Sequence, residues 1–252
     1  MKVYFVGAGP GDPDLITVKA LNRLKTAACC IYAGSLVNPE VLRDLPADAE
    51  RHDSARMSLE EVIEVCRAAR RRNVDVVRLH SGEPAIYGAI GEQMRELDKL
   101  GIEYEVIPGI SAFQAAAAAL RKELTAPEIS QTVILTRTAG RTPMPAGQEL
   151  SRLASLRATL CIFLSTPKIA EIAKELSGAY GSDCPAAVGY HVSWPDQKIV
   201  TGTLKDIAGK VAREGFGKTA IILVGPALGK VEHASKLYDK HFSHEYRRGA
   251  DK

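Results

Sequence analysis

Apolar, β-branched runs alternate with amphipathic helical stretches through the first half of this chain, and that alternation narrows its fold more than any other feature. Lys2 to Val6 reads as a strand. The glycine-rich turn Gly7-Ala8-Gly9-Pro10-Gly11-Asp12-Pro13-Asp14 follows, then helical spacing at Leu15, Val18, Leu21 and Leu24, with Asp14 placed to cap it. Ala27 to Tyr32 is a second strand, broken by Ala33-Gly34-Ser35. Ser58 with Glu61 three residues on forms a capping box for a helix reaching about Arg72. Val74 to Leu79 is a strand, Gly88 to Leu100 a helix closed by Gly101, Glu103 to Ile107 a strand, and Ala112 to Leu120 a helix. Strands separated by helices predict a mostly parallel sheet.

The second half has a different rhythm. Strands are expected at Thr132 to Thr136, Thr159 to Leu164, Ala186 to His191, Lys198 to Thr203 and Thr219 to Val224. Helices are expected at Gln148 to Ser155, Pro167 to Leu176 and Leu204 to Arg213. The turn Trp194-Pro195-Asp196-Gln197 suggests a hairpin, so this sheet should be mixed. The fold class is α/β, with two α/β domains over residues 1–115 and 116–230 and a basic, polar tail over 231–252.

Composition excludes several function classes. A net charge of +3 and a pI near 8.5 are too mild to argue for nucleic acid, but they suit an acidic small substrate. No apolar run is long enough to cross a membrane, and no leader segment is expected. The five cysteines include no C-x-x-C pair. Cys29, Cys30 and Cys161 sit in apolar runs and are expected to be buried small hydrophobes, which fits a reducing cytoplasm.

The chemistry concentrates after the strand that ends at Leu79. The loop His80-Ser81-Gly82-Glu83-Pro84-Ala85-Ile86-Tyr87-Gly88 lies at the carboxyl end of a strand, where open α/β sheets bind their ligands. It offers a hydroxyl, bare backbone, a carboxylate and an aromatic ring. The carboxylate favours a ligand with positive charge or N–H donors over a phosphate. Pro108-Gly109-Ile110-Ser111-Ala112 lies on the same rim, with Ser111 either capping a helix or lining a ligand. The first glycine turn is not a dinucleotide fingerprint: its spacing is G-x-G-x-G, Pro10 lacks an N–H, and Asp12 and Asp14 would repel a pyrophosphate. Gly217-Lys218-Thr219 precedes a strand, so it reads as a turn and not a P-loop. Arg67, Arg70, Arg71 and Arg72 read as the solvated end of a helix. His241 and His244 could share a helix face, but a polar tail makes no metal site, and no metal is expected. No nucleophile elbow, H-E-x-x-H or acid/base dyad appears, so the chemistry should not need a protein nucleophile. Arg56, Arg121, Arg137 and Arg141 lie in or beside loops and are either surface charge or carboxylate ligands.

Three blocks together resemble one family. Val6 to Thr17, Val76 to Gly88 and Val106 to Ala112 are similar to the signature segments of the tetrapyrrole (uroporphyrinogen/precorrin) methyltransferases, and the resemblance runs from Met1 to about Gly229. Tyr32 to Val41 and Asp53-Ser54-Ala55-Arg56-Met57 resemble the branch that methylates C11 of precorrin-4 in cobalamin biosynthesis. The resemblance implies two α/β domains with S-adenosylmethionine in the cleft between them, a cytoplasmic homodimer, and a methyl transferred to C11 of precorrin-4 or cobalt-precorrin-4, leaving S-adenosylhomocysteine. By position, the cofactor would meet Pro10, Ser81, Gly82, Glu83, Ile86, Tyr87, Ser111 and Ala112, then Leu164, His191, Val192 and Ala227. The family usually has G-D-P where this chain has Gly82-Glu83-Pro84, and its uroporphyrinogen methylases carry an aspartate where Ala33 stands. The alternatives are a sibling methyltransferase of different regiochemistry, a non-catalytic protein that binds S-adenosylmethionine, and, more distantly, a dinucleotide oxidoreductase.

Overall fold

The alternating runs of the first half form five strands: β1 (Lys2–Gly7), β2 (Cys29–Tyr32), β3 (Glu50–Asp53), β4 (Val76–His80) and β5 (Glu103–Ile107). The computed structural model describes residues 1–140, 142–216, 219–231 and 235–249. The strands make one sheet in the order β3-β2-β4-β1-β5. Every pairing in it is parallel. Residues alternate between its faces as the pleat requires. Tyr4, Val6, Cys30, Val77 and Leu79 share one cluster with Ala20 and Leu24 of helix α1 (Val18–Lys25). Val3, Phe5, Cys29, Ile31 and Val76 share the other. That second cluster also holds Val62, Ile63 and Cys66 of α2 (Leu59–Arg71) and Ile90 and Leu97 of α3 (Ile90–Lys99). Each fully buried aliphatic side chain in these layers contributes about 1.5–3 kcal/mol.

The chain leaves β1 toward β2 and leaves β4 toward β5, so neighbouring strands send their connections in opposite directions. Their helices, α1 and α3, lie on opposite faces. This is a topological switch point, and it opens a crevice at the carboxyl ends of β1 and β4. Helix α4 (Ala112–Leu120) starts from the end of β5.

The predicted capping box of α2 is present, with both the Ser58 and Glu61 hydrogen bonds formed. The start of α1 differs from expectation. Asp14 is not its cap: Asp12 caps a short 3-10 turn over Pro13–Leu15, and the Thr17 hydroxyl accepts from Ala20 N–H at 3.3 Å to begin the helix. Pro13 favours the tight turn, and the α-helix begins only after it.

The second half forms β6 (Val133–Arg137), α5 (Leu150–Ala154), β7 (Thr159–Phe163), α6 (Ile169–Tyr180), β8 (Pro185–Tyr190), β9 (Lys198–Thr203), α7 (Ile207–Glu214) and β10 (Ala220–Val224). The sheet order is β6-β7-β10-β8-β9. β6 and β7 are parallel, and β10 runs antiparallel to β7 and β8, so the sheet is mixed. Leu160, Ile162, Val188 and Ile222 pack with Ile172, Leu176, Ile207 and Val211 of α6 and α7. All five cysteines are buried and free.

Two units can be distinguished: Met1–Ala116 with His191–Lys198, and Ala117–Tyr190 with Ile199–Lys252. β8 and β9 are sheet neighbours, as the hairpin reading expected, but the residues joining them belong with the first unit. Near the end, a 3-10 turn (Lys236–Tyr238) and an isolated bridge between His244 and Arg247 stand where a helix would be needed to align His241 with His244. Gly217 and Lys218 lie outside the described residues.

Candidate functional site

Three glycines build the crevice at the carboxyl ends of β1, β4 and β5. A Cβ on Gly7 would lie 2.6 Å from the backbone of Gly109 and 2.7 Å from the carbonyl oxygen of Gly82. A Cβ on Gly109 would strike the same oxygen. The turn after β1 is tied to the loop after β4 by a two-residue bridge. Gly9 N–H donates to Gly82 O at 3.3 Å, and Gly82 N–H donates to Gly9 O at 2.8 Å. Gly82 has φ +64, which a glycine adopts without penalty. Its open side faces the start of α4: a Cβ there would stand 3.7 Å from Ser111 Cα and 3.9 Å from Ala112 N.

Glu83 holds this arrangement together. Its Oε2 accepts Gly109 N–H at 2.8 Å and its Oε1 accepts Ala85 N–H at 2.8 Å. One carboxylate thus fixes its own loop and joins it to the loop after β5. Ser111 N–H donates to Gln114 Oε1 at 2.8 Å, which closes the start of α4. Tyr87 and Ala89 hold left-handed backbone, with φ 56 and 50. Such conformations cost about 1 kcal/mol or more and gather where a site demands a particular shape. Tyr87 is exposed, and Ile86 is half-buried.

Behind the loop, the last residues of β4 carry charge into the interior. Arg78 is buried, with its Nε donating to Gln93 Oε1 at 3.0 Å and Nη1 to Ile31 O at 3.4 Å. His80 is buried, and its Nε2 has no hydrogen-bond partner among the described residues. Burial, and then the Arg78 charge, push the His80 imidazole down to about 3. His80 is therefore neutral at any ordinary pH.

The loop joining β8 and β9 completes this unit. His191 is half-buried and Val192 buried. The Trp194 indole N–H donates to Pro10 O at 3.0 Å. The His191 ring stacks on the Trp194 ring, with centroids 4.5 Å apart. Pro10, Gly82, Ser111, Ala112 and His191 thus fall within one unit, with Pro10 and His191 joined through Trp194 and the loops after β4 and β5 joined through Glu83. Leu164 and Ala227 belong to the second unit. Leu164 follows β7, is 69% exposed and has φ 55; Ala227 is buried in a 3-10 turn after β10.

The candidate arginines fall in both units. Arg56 is exposed at the end of a 3-10 turn in the first unit, and Arg121 is exposed just past α4 in the second. Arg137 donates to three backbone carbonyls, Thr138 at 3.1 Å, Thr142 at 3.2 Å and Pro143 at 2.8 Å, so its guanidinium organises its own loop. Arg141 lies outside the described residues. Cys29, Glu50 and His52 form a cluster of possible metal donors, but Glu50 already pairs with Arg72 at 2.6 Å and His52 at 2.9 Å. The Arg72 hydrogen bond holds the Glu50 carboxyl below its usual range. A guanidinium at that distance opposes a cation.

Sequence reasoning missed the bracing role of Glu83, the packing of Gly7 on Gly109, and Trp194. The one tryptophan of the chain, set in a turn before proline, was the available signal for the last.

A family model described as tetrapyrrole (corrin/porphyrin) methylases matches residues 2–208. The chain is 54% identical over 253 residues to a cobalt-precorrin-4 C(11)-methyltransferase of Methanocaldococcus jannaschii, a match covering 100% of this chain and 98% of that one. It is 51% identical to a precorrin-4 C(11)-methyltransferase of Pseudomonas aeruginosa, over 99% of this chain and 100% of that one. A solved cobalt precorrin-4 methyltransferase superposes with TM-score 0.88 at 44% identity, covering 91% of this chain and 96% of the other. A uroporphyrin-III C-methyltransferase from Thermus thermophilus, complexed with S-adenosyl homocysteine, gives TM-score 0.75 at 28% identity over 90% and 93%. The family match covers most of the chain and takes in all three signature blocks: this protein belongs to the tetrapyrrole methylase family.

Proposed function

We propose that the protein transfers the methyl group of S-adenosylmethionine to C11 of precorrin-4, or of its cobalt form, in cobalamin biosynthesis. The observation that carries this reading is a glycine-lined crevice at the switch point of a chain that matches C11-methyltransferases over its whole length. S-Adenosylmethionine supplies an electrophilic sulfonium methyl. In the transfer the carbon–sulfur bond breaks, its electron pair stays on sulfur, a carbon–carbon bond forms at C11, and the macrocycle loses one proton.

The residues fit that cofactor. Gly82 presents bare backbone beside the start of α4, whose helix dipole suits the carboxylate of its methionine part. Pro10 lacks an N–H, so the turn after β1 offers a phosphate fewer donors than a dinucleotide-binding turn would. The protein's work is to hold and orient, since the electron-rich macrocycle is itself the nucleophile. Positioning can supply much of the acceleration. In this reading the cofactor meets Pro10, the Ser81-Gly82-Glu83 loop, Ile86, Tyr87, Ser111, Ala112, His191 and Val192 in the first unit, and Leu164 and Ala227 in the second. Arg56 and Arg121 are the exposed guanidiniums offered to substrate carboxylates, with Arg141 alongside them from the sequence. Arg137 contributes indirectly, by holding its loop. A homodimer and a cytoplasmic location belong to the same reading and are supported by the family resemblance. Among the described residues, no helix is long and apolar enough to cross a membrane.

Initial-rate measurements with precorrin-4, cobalt-precorrin-4 and uroporphyrinogen III test the substrate. The expected result is turnover of one or both precorrin-4 forms and none of uroporphyrinogen III. Preference for uroporphyrinogen III would move the protein to a sibling step.

A further inference from the structure

The turn after β1 has little stiffness of its own. Gly9 and Gly11 flank Pro10, which has no N–H to donate. The turn is held instead from outside. Trp194 Nε1–H donates to Pro10 O at 3.0 Å, and Ser193 Oγ accepts Asp12 N–H at 3.0 Å. Buried Asn38 donates to Gly11 O at 2.9 Å. The Trp194 indole lies directly on Gly11, where any Cβ would run into its Cδ1 and Nε1.

The segment that presents this indole is itself tightly built. Trp194 N–H donates to His191 O at 2.9 Å, and Gln197 N–H donates to Trp194 O at 3.0 Å. Ser193 N–H donates to Gln197 Oε1 at 2.8 Å. His191 Nδ1 lies 2.9 Å from Asp196 Oδ2, and its ring is stacked on the indole. His191 and Ser193 both hold left-handed backbone, with φ 44 and 68. Strain of that kind persists only where the surroundings enforce it. Here its effect is to place one large ring against one glycine.

We propose that Trp194 is a positioning residue for the cofactor: by clamping the Gly9-Pro10-Gly11 turn it sets the shape of the site, and so its affinity for S-adenosylmethionine. This rests on the cofactor reading above. The indole acts through the turn, without itself reacting. Its loss should therefore raise the KM for S-adenosylmethionine and leave kcat nearly unchanged.

The test compares wild type, W194F and W194A by calorimetry with S-adenosylmethionine and by initial rates with precorrin-4. W194F keeps a ring but loses the N–H donor, and Kd should rise about fivefold, the worth of one net hydrogen bond. W194A loses both, and Kd should rise about tenfold or more, with kcat at saturating cofactor within about twofold of wild type. G11A pushes the indole away, so adding W194A to it should add little. Should W194A fail to fold, W194F decides. Wild-type Kd in the folded tryptophan variants would overturn the clamp alone, as would a fall in kcat with KM unchanged. No binding by the wild type would overturn the cofactor reading itself, and the clamp with it.

Discussion

Gly82 and Gly109 are both glycines of the crevice, yet their substitutions should fail in different ways. At Gly82 an added Cβ makes only ordinary van der Waals contact, 3.7 Å from Ser111 Cα, and the backbone at φ +64 costs a larger residue about 1 kcal/mol. G82L should fold with a near-normal melting temperature and bind S-adenosylmethionine about a hundredfold more weakly, because its side chain fills the space the ligand needs. At Gly109 the added carbon strikes backbone, and G109A should lose roughly 1–3 kcal/mol of stability. Calorimetry and thermal melts separate the two, and tight binding by G82L would refute the site. His80 makes a different prediction. Its pKa is about 3 in the folded chain, against an ordinary 6.5, so the unfolded chain takes up the proton first as pH falls. His80 should thus weaken the fold from about pH 6.5 downward, with a limiting slope of about 1.4 kcal/mol per pH unit. H80F, which cannot titrate, should show a flatter loss in denaturant unfolding between pH 7 and pH 4. Identical slopes would show that the buried imidazole is not the cause.

The loops after β4 and β5 act as one body because Glu83 bridges them. E83A leaves the Gly109 N–H without its acceptor and should lower stability by roughly 1–3 kcal/mol while raising the KM for S-adenosylmethionine. An unchanged melting temperature would mean the bridge is dispensable. The elements themselves were largely legible in the sequence, because pleat alternation and capping chemistry are local: β5, α4 and β9 match their predicted spans, and the Ser58–Glu61 box forms as expected. The cap of α1 was misread because Asp12, Asp14 and Thr17 are all good capping residues, and only the turn at Pro13 decides among them. The bracing was not legible, for a physical reason. Glu83 meets a partner 26 residues away, and Trp194 meets one 184 residues away. No local periodicity carries that information. Glu83 was read as a charge facing a ligand, and both its oxygens in fact hold backbone.

At the scale of the whole chain, the two α/β units divide the chemistry unevenly. The first carries the glycine crevice, its Glu83 brace and the Trp194 clamp. The second contributes Leu164, Ala227 and three of the four candidate arginines in the reading given above. The proposed reaction needs neither an activated protein nucleophile nor a metal centre, because the macrocycle supplies the electrons. The central claim is therefore one of position: a methyl group delivered to one carbon of one substrate. The most direct measurement is incubation of the protein with precorrin-4 and S-adenosylmethionine labelled with carbon-13 in its methyl group, followed by carbon NMR of the product. A single enriched methyl on C11 is the predicted result. Enrichment at any other carbon, or cofactor bound with no methyl transferred to either precorrin-4 form, would contradict it.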